Sequence, residues 1–234
     1  MHILSLETST RNFSLAVSKD DQVLKFRNFR TDKILESSMI PSIDKLLTSC
    51  HLKLEKIEAI AIGLGPGSFT SLRVGLSTVK AFALATNKKL IGVSSLDIIA
   101  AGVANKEADE ICVIVDARRG KVYAAIYDRQ ISRKTDYLLT TIDDVLEHVY
   151  GETLFVGDGV ALYKDHIEKA YKTYAKTHHS DCKPRFALEK FWYPQAKELA
   201  KLAIKKMKNK EFEDPARIVP IYLYPSDCQV HGKS

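Results

Sequence analysis

The sequence predicts an α/β protein built from two lobes on one plan. Short apolar strands alternate with helical stripes along the chain, as expected for β-sheets flanked by helices. A shift of 108 residues lays Ile3 on Ile111 and the strand at 13–18 on the segment 121–126, so the opening order of elements recurs. The polar stretch ANKEADE separates the two copies. We therefore predict an N-terminal lobe over 1–104 and a C-terminal lobe over 105–234.

The first lobe begins with alternating apolar and polar residues, which predict a meander of short strands. Two helical stripes follow, the first with Pro41 inside it, and they flank a strand that is apolar on nearly every residue. In chain order the predicted elements are strands at 2–8, 13–18 and 23–29, a helix at 34–49, a strand at 57–64, a helix at 69–86, a strand at 90–93 and a helix that Ser94 or Ser95 caps.

The second lobe repeats this beginning. Its predicted elements are strands at 111–115, 121–127 and 132–139, a short helix after Thr141, a strand at 153–157, and Lys-rich helices at 160–176 and 194–209. The tail from Cys228 has little to bury, and we predict that it is loose.

Charge is distributed unevenly along the 234 residues. The net charge is +6, from 35 basic and 29 acidic side chains. Residues 1–159 contain 20 of each sign, whereas residues 160–234 contain 15 basic and 9 acidic side chains. A basic end indicates either affinity for an acidic partner such as nucleic acid or Lys-rich helices that face solvent.

Several classes of protein are excluded. The longest charge-free run, Ala59 to Leu72, has 14 residues and contains glycine and proline, short of the ~18 to 20 apolar residues of a membrane helix. The N-terminus lacks a basic region and carries Glu7, so we expect a cytoplasmic protein that contacts no membrane. No CxxC, HExxH or HxxxH pattern occurs, and we predict no metal site.

Three loops follow apolar strands and expose backbone N–H groups. A glycine-flanked helix entry is a natural site for a phosphate or carboxylate. The second loop is not a Walker A loop, because no lysine follows it, and it also fits a simple strand-to-helix turn that Ser68 caps. The candidate anion-binding residues are Glu7, Thr8 and Ser9; Gly65, Pro66, Gly67, Ser68, Phe69 and Thr70; and Gly157 and Gly159.

The turn DARRG adds Asp116 and Arg118 to these candidates. An arginine beside a cleft can clamp a phosphate, and the same pair also fits a surface ion pair. Glu7 could bind a metal-held water or act as a base, but no second carboxylate or activated nucleophile lies near it in sequence. We therefore assign no catalytic residue.

The motifs ILSLETST, GLGPGSFTSLRVG, GVSSL, VDARRGKVYAAIYD, VGDG and PIYLY, in this order, resemble the bacterial TsaB (YeaZ) family over about residues 1–225. The resemblance implies an actin-like, Hsp70-like ATPase (ASKHA) fold of two duplicated lobes. It also implies a role in making N6-threonylcarbamoyladenosine at position 37 of tRNA. There TsaB is a noncatalytic dimerising and scaffolding partner of its paralogue TsaD, TsaE is the associated ATPase, and a separate synthase supplies threonylcarbamoyl-adenylate.

One difference separates the two paralogues. TsaD-type subunits carry a metal-binding HxxxH pair on the helix after the third strand, whereas residues 34–41 of this chain contain no histidine. Glu7 also stands where many TsaB proteins have aspartate. The resemblance therefore implies that this chain alone binds no cofactor, that ATP and Mg are used by the assembled complex, and that tRNA is reached through the complex.

The resemblance also implies a partner surface on the first two helices, for TsaD or for a second copy in a homodimer. An ordinary solvated face is the alternative. Other possible functions are a self-sufficient ATP-dependent kinase or carbamoyl-type transferase, a metalloprotease, for which no zinc spacing is present, and direct tRNA contact by the basic end. The predicted interface residues are Met39, Ile43, Arg73, Gly75, Leu76, Ser77, Lys80 and Ala81.

Overall fold

A computed structural model describes residues 1–10, 12–30, 35–104, 108–149, 151–179 and 181–224 of the chain. The elements are β1 (His2–Glu7), β2 (Asn12–Lys19), β3 (Gln22–Arg30), α1 (Leu35–Thr48), β4 (Ala59–Gly63), α2 (Phe69–Thr86), β5 (Lys89–Val93), α3 (Ser95–Ala101), β6 (Glu110–Arg118), β7 (Lys121–Asp128), β8 (Leu138–Thr140), α4 (Ile142–Leu146), β9 (Thr153–Val156), α5 (Gly159–His178), β10 (Arg185–Phe186) and α6 (Ala196–Lys208).

Two five-stranded mixed sheets share one topology. Their orders are β3-β2-β1-β4-β5 and β8-β7-β6-β9-β10. In each sheet the first strand pairs antiparallel with the second and parallel with the fourth. The predicted fold class of two duplicated lobes with mixed sheets is confirmed. The two-residue strand β10 was not predicted, because so short a segment carries no periodicity.

Helices and sheets form five layers. Helices α1 and α2 cover the outer face of the first sheet, where Met39 and Val79 join its apolar core. Helices α3 and α6 lie between the sheets, and Ile98 of α3 packs with the first sheet while Ile99 packs with the second. Helices α4 and α5 cover the outer face of the second sheet, with Ile167 of α5 fully buried. The middle helices therefore belong to both cores.

The C-terminal part of the chain returns to the first sheet. Helix α6 packs on β1, β2 and β5, with Leu199 and Ala203 fully buried, because its apolar stripe meets the inner face of that sheet. Residues 211–224, which we call the C-terminal strap, then follow β5. Glu213 N donates to Leu90 O at 2.8 Å, and Ile218 is buried in the first core. The lobe boundary at residue 104 stays a prediction. Helix α6 lies in the second half of the chain but packs on the first sheet, so position along the chain does not by itself decide which sheet an element joins.

Of the two predicted helix caps, one is confirmed and one is wrong. Ser94 caps α3 by accepting a hydrogen bond from Leu96 N, as predicted. Ser68 occupies the N-cap position of α2 but makes no capping bond, so that part of the prediction is wrong; its hydroxyl lies 3.0 Å from that of Ser71. The tail from Cys228 lies outside the described residues. Within them, no helix combines the length and apolarity needed to cross a bilayer.

Candidate functional site

The carboxyl ends of β1, β4 and β5 meet at one edge of the first sheet, because these strands run parallel. This arrangement brings the predicted loop at Glu7–Ser9 against the loop at Gly65–Ser68 and the start of α3 at Ser94–Ser95. We call these three segments the first edge. The two loops follow apolar strands, as predicted. Their meeting at one sheet edge with the start of α3 was not predicted from the sequence.

The Glu7 carboxylate fills the centre of the first edge. The residue is fully buried. One carboxylate oxygen accepts a hydrogen bond from Ser9 N at 2.7 Å, and the other accepts one from Ser95 Oγ at 3.1 Å. Burial raises the pKa of Glu7, and hydrogen bonds from Ser9 and Ser95 partly oppose this rise. A Cβ on Gly63 would lie 1.9 Å from Glu7 Oε2, so the carboxylate packs directly on the β4 backbone.

Several backbone amides of the first edge donate hydrogen bonds within the chain. Gly65 N donates to Ser95 Oγ at 3.2 Å, and Ser95 N donates to Gly65 O at 2.7 Å. Ser68 N donates to Ser9 O at 2.7 Å. A Cβ on Gly67 would lie 2.3 Å from that same carbonyl oxygen. Gly65 and Ser68 were predicted to contribute to an anion site, but the backbone amide of each already has an acceptor within the chain. Phe69 and Thr70 are exposed on the first turn of α2.

The second sheet has an equivalent edge, formed by Asp116–Arg118 and Gly157–Gly159, which we call the second edge. Asp116 N donates to Asp158 Oδ1 at 2.9 Å, and Arg118 N donates to Asp116 Oδ1 at 2.8 Å. Burial raises the pKa of Asp158, and the hydrogen bond from Asp116 N partly opposes this rise. The Arg118 guanidinium also pairs with Asp116 at 2.9 Å, although its side chain is 80% exposed. At this edge too, carboxylates of the chain accept hydrogen bonds from loop amides, here those of Asp116 and Arg118.

The C-terminal strap connects the two edges. Ile221 N donates to Leu64 O, next to the first edge, and Tyr224 Oη donates to Ala117 O in the second edge, both at 2.8 Å. The Arg73 guanidinium lies 3.8 Å from the centre of the Phe69 ring, and its Nε donates to Tyr222 at 3.2 Å. This role of the strap was not predicted from the sequence. The aromatic motif PIYLY was its only local signal.

Several predicted interface residues are not accessible. Met39, Ile43 and Leu76 are only 1%, 3% and 6% exposed because they face the first sheet. Gly75 is also buried, and a Cβ there would lie 2.2 Å from Thr8 Oγ1. These four residues are corrected from partner contacts to core positions.

The other predicted interface residues lie nearer to solvent. Lys80 donates to the strap carbonyl of Ile218 at 3.2 Å, and Arg73 contacts the strap as described. Ser77 and Ala81 are exposed on the outer face of α2. A partner surface on this helix stays a prediction. In the described ranges, no group of three or more His, Cys, Asp or Glu side chains is arranged to hold a metal.

Solved structures share this fold. YeaZ from Pseudomonas aeruginosa aligns with a TM-score of 0.77 at 22% identity, covering 95% of this chain and 99% of that one. A ROK family protein from Streptococcus pneumoniae aligns with a TM-score of 0.54 at 7% identity, covering 88% and 100%. Together with the duplicated sheets, these similarities define the class as an actin-like, ATPase-type fold.

The sequence comparisons are more specific. The family model described as TsaD, tRNA N6-adenosine threonylcarbamoyltransferase, matches residues 31–230. The tRNA threonylcarbamoyladenosine biosynthesis protein TsaB of Bacillus subtilis is 28% identical, covering 98% of this chain and 96% of that protein. Its Escherichia coli counterpart is 32% identical over 177 residues, covering 70% and 74%. The chain belongs to the TsaB/YeaZ family, as the sequence motifs indicated.

Proposed function

We propose that this protein is an accessory subunit in the biosynthesis of tRNA threonylcarbamoyladenosine, one that supports a TsaD-type catalytic subunit and has no active site of its own. One observation carries the proposal. At each sheet edge some of the loop amides donate to carboxylates of the same chain: Ser9 N to Glu7 at the first edge, and Asp116 N to Asp158 and Arg118 N to Asp116 at the second. A phosphate would have to displace these acceptors and would lie against carboxylate oxygens, which repel it when they are ionised.

The partner surface is the outer face of α1 and α2. Ser77, Ala81 and Leu84 follow one another at helical spacing, and all three are exposed. Leu84 is 64% exposed, and Ile40 on α1 is 56% exposed. The small residues of α2 allow a second pair of helices to approach closely, and a contact over both helices would bury the exposed Leu84 and Ile40 side chains. We infer that a second copy of the chain uses this face when the catalytic subunit is absent.

The remaining parts of the proposal follow from family membership. The complex would contain TsaE and would use ATP and Mg, while this chain alone would bind no cofactor. It would reach tRNA through the complex, in the cytoplasm. The two TsaB relatives are named as tRNA threonylcarbamoyladenosine biosynthesis proteins, which supports the biosynthetic role.

A second candidate is a self-sufficient ATP-dependent kinase or carbamoyl-type transferase of the same fold. The match to a family model named for a transferase favours it. Calorimetry with Mg-ATP separates the two functions. Because loop amides at both edges already donate within the chain, we expect no metal-dependent nucleotide binding by the purified protein. Tight binding would favour the second candidate.

Size-exclusion chromatography with a TsaD subunit tests the partner surface. Leu84→Asp places a charge at the centre of the proposed contact and should abolish co-elution, because an unpaired charge in an apolar interface is costly. Leu162→Asp is the matched control, since Leu162 of α5 is 61% exposed on the opposite outer layer. Co-elution of both variants, or failure of the unmodified chain to co-elute, would reject the proposal.

A further inference from the structure

Exposed apolar side chains are concentrated on α1, α2 and the C-terminal strap. Among the described residues, nine large apolar side chains are exposed, and six of them belong to these three elements. The six are Ile40, Phe69, Leu84, Phe212, Val219 and Tyr222. A single exposed apolar side chain is ordinary, but a concentration of them on neighbouring elements is typical of a surface that binds another protein.

The order of strands in the first sheet places the three elements side by side. Helix α1 packs on β2, whereas α2 packs on β4 and β5. The strap follows β5, the last strand of the sheet, and its Ile218 joins the same outer core as the two helices. Because β1 and β4 separate β2 from β5, α2 lies between α1 and the strap. The outer side of this lobe is therefore three elements wide.

Two side chains of α2 attach the strap to that helix. Lys80 Nζ donates to Ile218 O at 3.2 Å, and Arg73 Nε donates to Tyr222 Oη at 3.2 Å. Val219 lies between these two attachment points along the chain, and its side chain is 66% exposed. The strap is thus fixed beside α2 while it presents an apolar side chain to solvent.

The Arg73 guanidinium is held in place but has no counter-charge nearby. It lies 3.8 Å from the centre of the Phe69 ring, and the Phe69 and Tyr222 rings have centroids 5.4 Å apart. Across the described ranges, no carboxylate oxygen lies within the 4.0 Å of an ion pair with Arg73, and α2 contains no acidic residue. The terminal nitrogens of an arginine bind a carboxylate in a bidentate geometry. A partner with an acidic side chain in an apolar face would therefore complement this surface.

We propose that the strap is part of the surface that binds the TsaD-type catalytic subunit, with the identity of that partner resting on the proposed function. Val219 and Tyr222 are buried by the partner, and Arg73 pairs with one of its carboxylates. With the strap included, α2 is the centre of the contact, where most of the binding energy of an interface arises. A second copy of the chain is the weaker match, because two α2 helices facing each other would bring only cations together.

Titration of the fluorescently labelled chain with a purified TsaD subunit measures the contribution of the strap. Val219→Asp should bind at least about tenfold more weakly, because it places a charge in an apolar contact. Leu188→Asp is the matched control, since Leu188 is 65% exposed and lies beside α5 on the second lobe. It should stay within about threefold of the unmodified chain. Unchanged affinity of Val219→Asp, or equal losses in the two variants, would overturn the proposal.

The variant Val219→Thr guards against misfolding as the cause of a loss. Threonine keeps the branched shape of valine and replaces one methyl group by a hydroxyl, so the affinity should fall by only about threefold. A loss as large as that of Val219→Asp, together with a lowered melting temperature in both variants, would assign the effect to folding and overturn the contact.

The pairing of Arg73 has its own control. Arg73→Gln should weaken binding about tenfold and make the affinity less dependent on salt. Arg133→Gln should change neither, although the Arg133 guanidinium lies in a similar way 3.9 Å from the centre of the Tyr137 ring on the second lobe. Tyr222→Phe should weaken binding of the unmodified chain but not of Arg73→Gln, because its hydroxyl group acts by positioning Arg73. An unchanged salt dependence of Arg73→Gln would overturn the carboxylate pairing.

The variant Leu84→Asp keeps this proposal distinct from the proposed function. Weak binding of the subunit by both Leu84→Asp and Val219→Asp supports the three-element surface. Weak binding by Leu84→Asp alone would limit the contact to α1 and α2 and overturn the role of the strap, while leaving the accessory function standing. If Val219→Asp disrupted only self-association in analytical ultracentrifugation, the strap would contact a second copy, and the proposal would also be overturned. No binding by the unmodified chain would overturn both proposals.

Discussion

The two sheets have the same strand order, but the loops at their edges are hydrogen-bonded in different ways. At the first edge a fully buried carboxylate, Glu7, receives hydrogen bonds from Ser9 and Ser95. At the second edge Asp158 and Asp116 are partly exposed, and Arg118 extends into solvent. Duplication has therefore kept the topology while the chemistry of the edges differs. Both edges supply their own acceptors, and we expect the free energy of unfolding to depend more on Glu7 than on Asp158, because Glu7 is fully buried and Asp158 is partly exposed.

Within the second edge, a substitution at Gly157 should lower the free energy of unfolding the most. A Cβ there would lie 2.1 Å from Ile114 O, and its φ is +114°. Gly157→Ala should lower the free energy of unfolding by about 4 kcal/mol, because strain adds to a clash with main chain. Gly120→Ala is the control: its φ is +71° with no atom within 4 Å, and it should cost only about 1 kcal/mol. Equal losses in urea unfolding would contradict this packing.

Replacing Glu7 or Asp158 by alanine compares how much each carboxylate contributes to the free energy of unfolding. Glu7→Ala leaves Ser9 N without its buried acceptor and creates a cavity, so we expect a loss of about 3 kcal/mol. Asp158→Ala exposes Asp116 N to nearby water, and we expect a loss of about 1 kcal/mol. Chemical denaturation of both variants at neutral pH measures the difference. A loss at Asp158 that matches or exceeds the loss at Glu7 would reverse the comparison.

The pH dependence of stability sharpens the same comparison. Because the folded pKa of Glu7 is raised above its ordinary value of 4.5, the folded state holds the proton more tightly than the unfolded state. Stability should therefore fall as pH rises from that value through the raised pKa. Glutamine does not titrate at this position. The free energy of unfolding of Glu7→Gln should therefore rise relative to that of the unmodified chain by about 1 kcal/mol per pH unit in that window. Parallel stability curves between about pH 5 and pH 8 would show that Glu7 does not titrate in this way.

The smallest effect is expected at Arg118. Its ion pair with Asp116 is solvent-exposed on the arginine side. Arg118→Ala should change the free energy of unfolding by less than about 0.5 kcal/mol. A thermal melt provides the measurement. A loss comparable to that of Glu7→Ala would mean that the second edge depends on this residue as strongly as the first depends on its carboxylate.

Much of the fold could be predicted from local pattern. Helix α2 was predicted with both observed ends, because its apolar stripe begins after a glycine-rich turn and stops at polar residues. The Glu7 and Gly65 loops were predicted to follow apolar strands, and they do. The hydrogen bond between Glu7 and Ser95 spans 88 residues, so no local pattern could reveal that the loop amides were already used. Packing of α6 on the first sheet was hidden for the same reason, since its apolar stripe fits either sheet.

The most direct test of the proposed role is reconstitution of tRNA threonylcarbamoylation from purified TsaD, TsaE, the synthase and an unmodified tRNA transcript, with and without this chain. The accessory role predicts that the modified nucleoside forms only when the chain is added, and that the chain with ATP, Mg, threonylcarbamoyl-adenylate and tRNA forms none. Formation of the modified nucleoside by this chain without TsaD would contradict the proposal that the chain has no active site of its own.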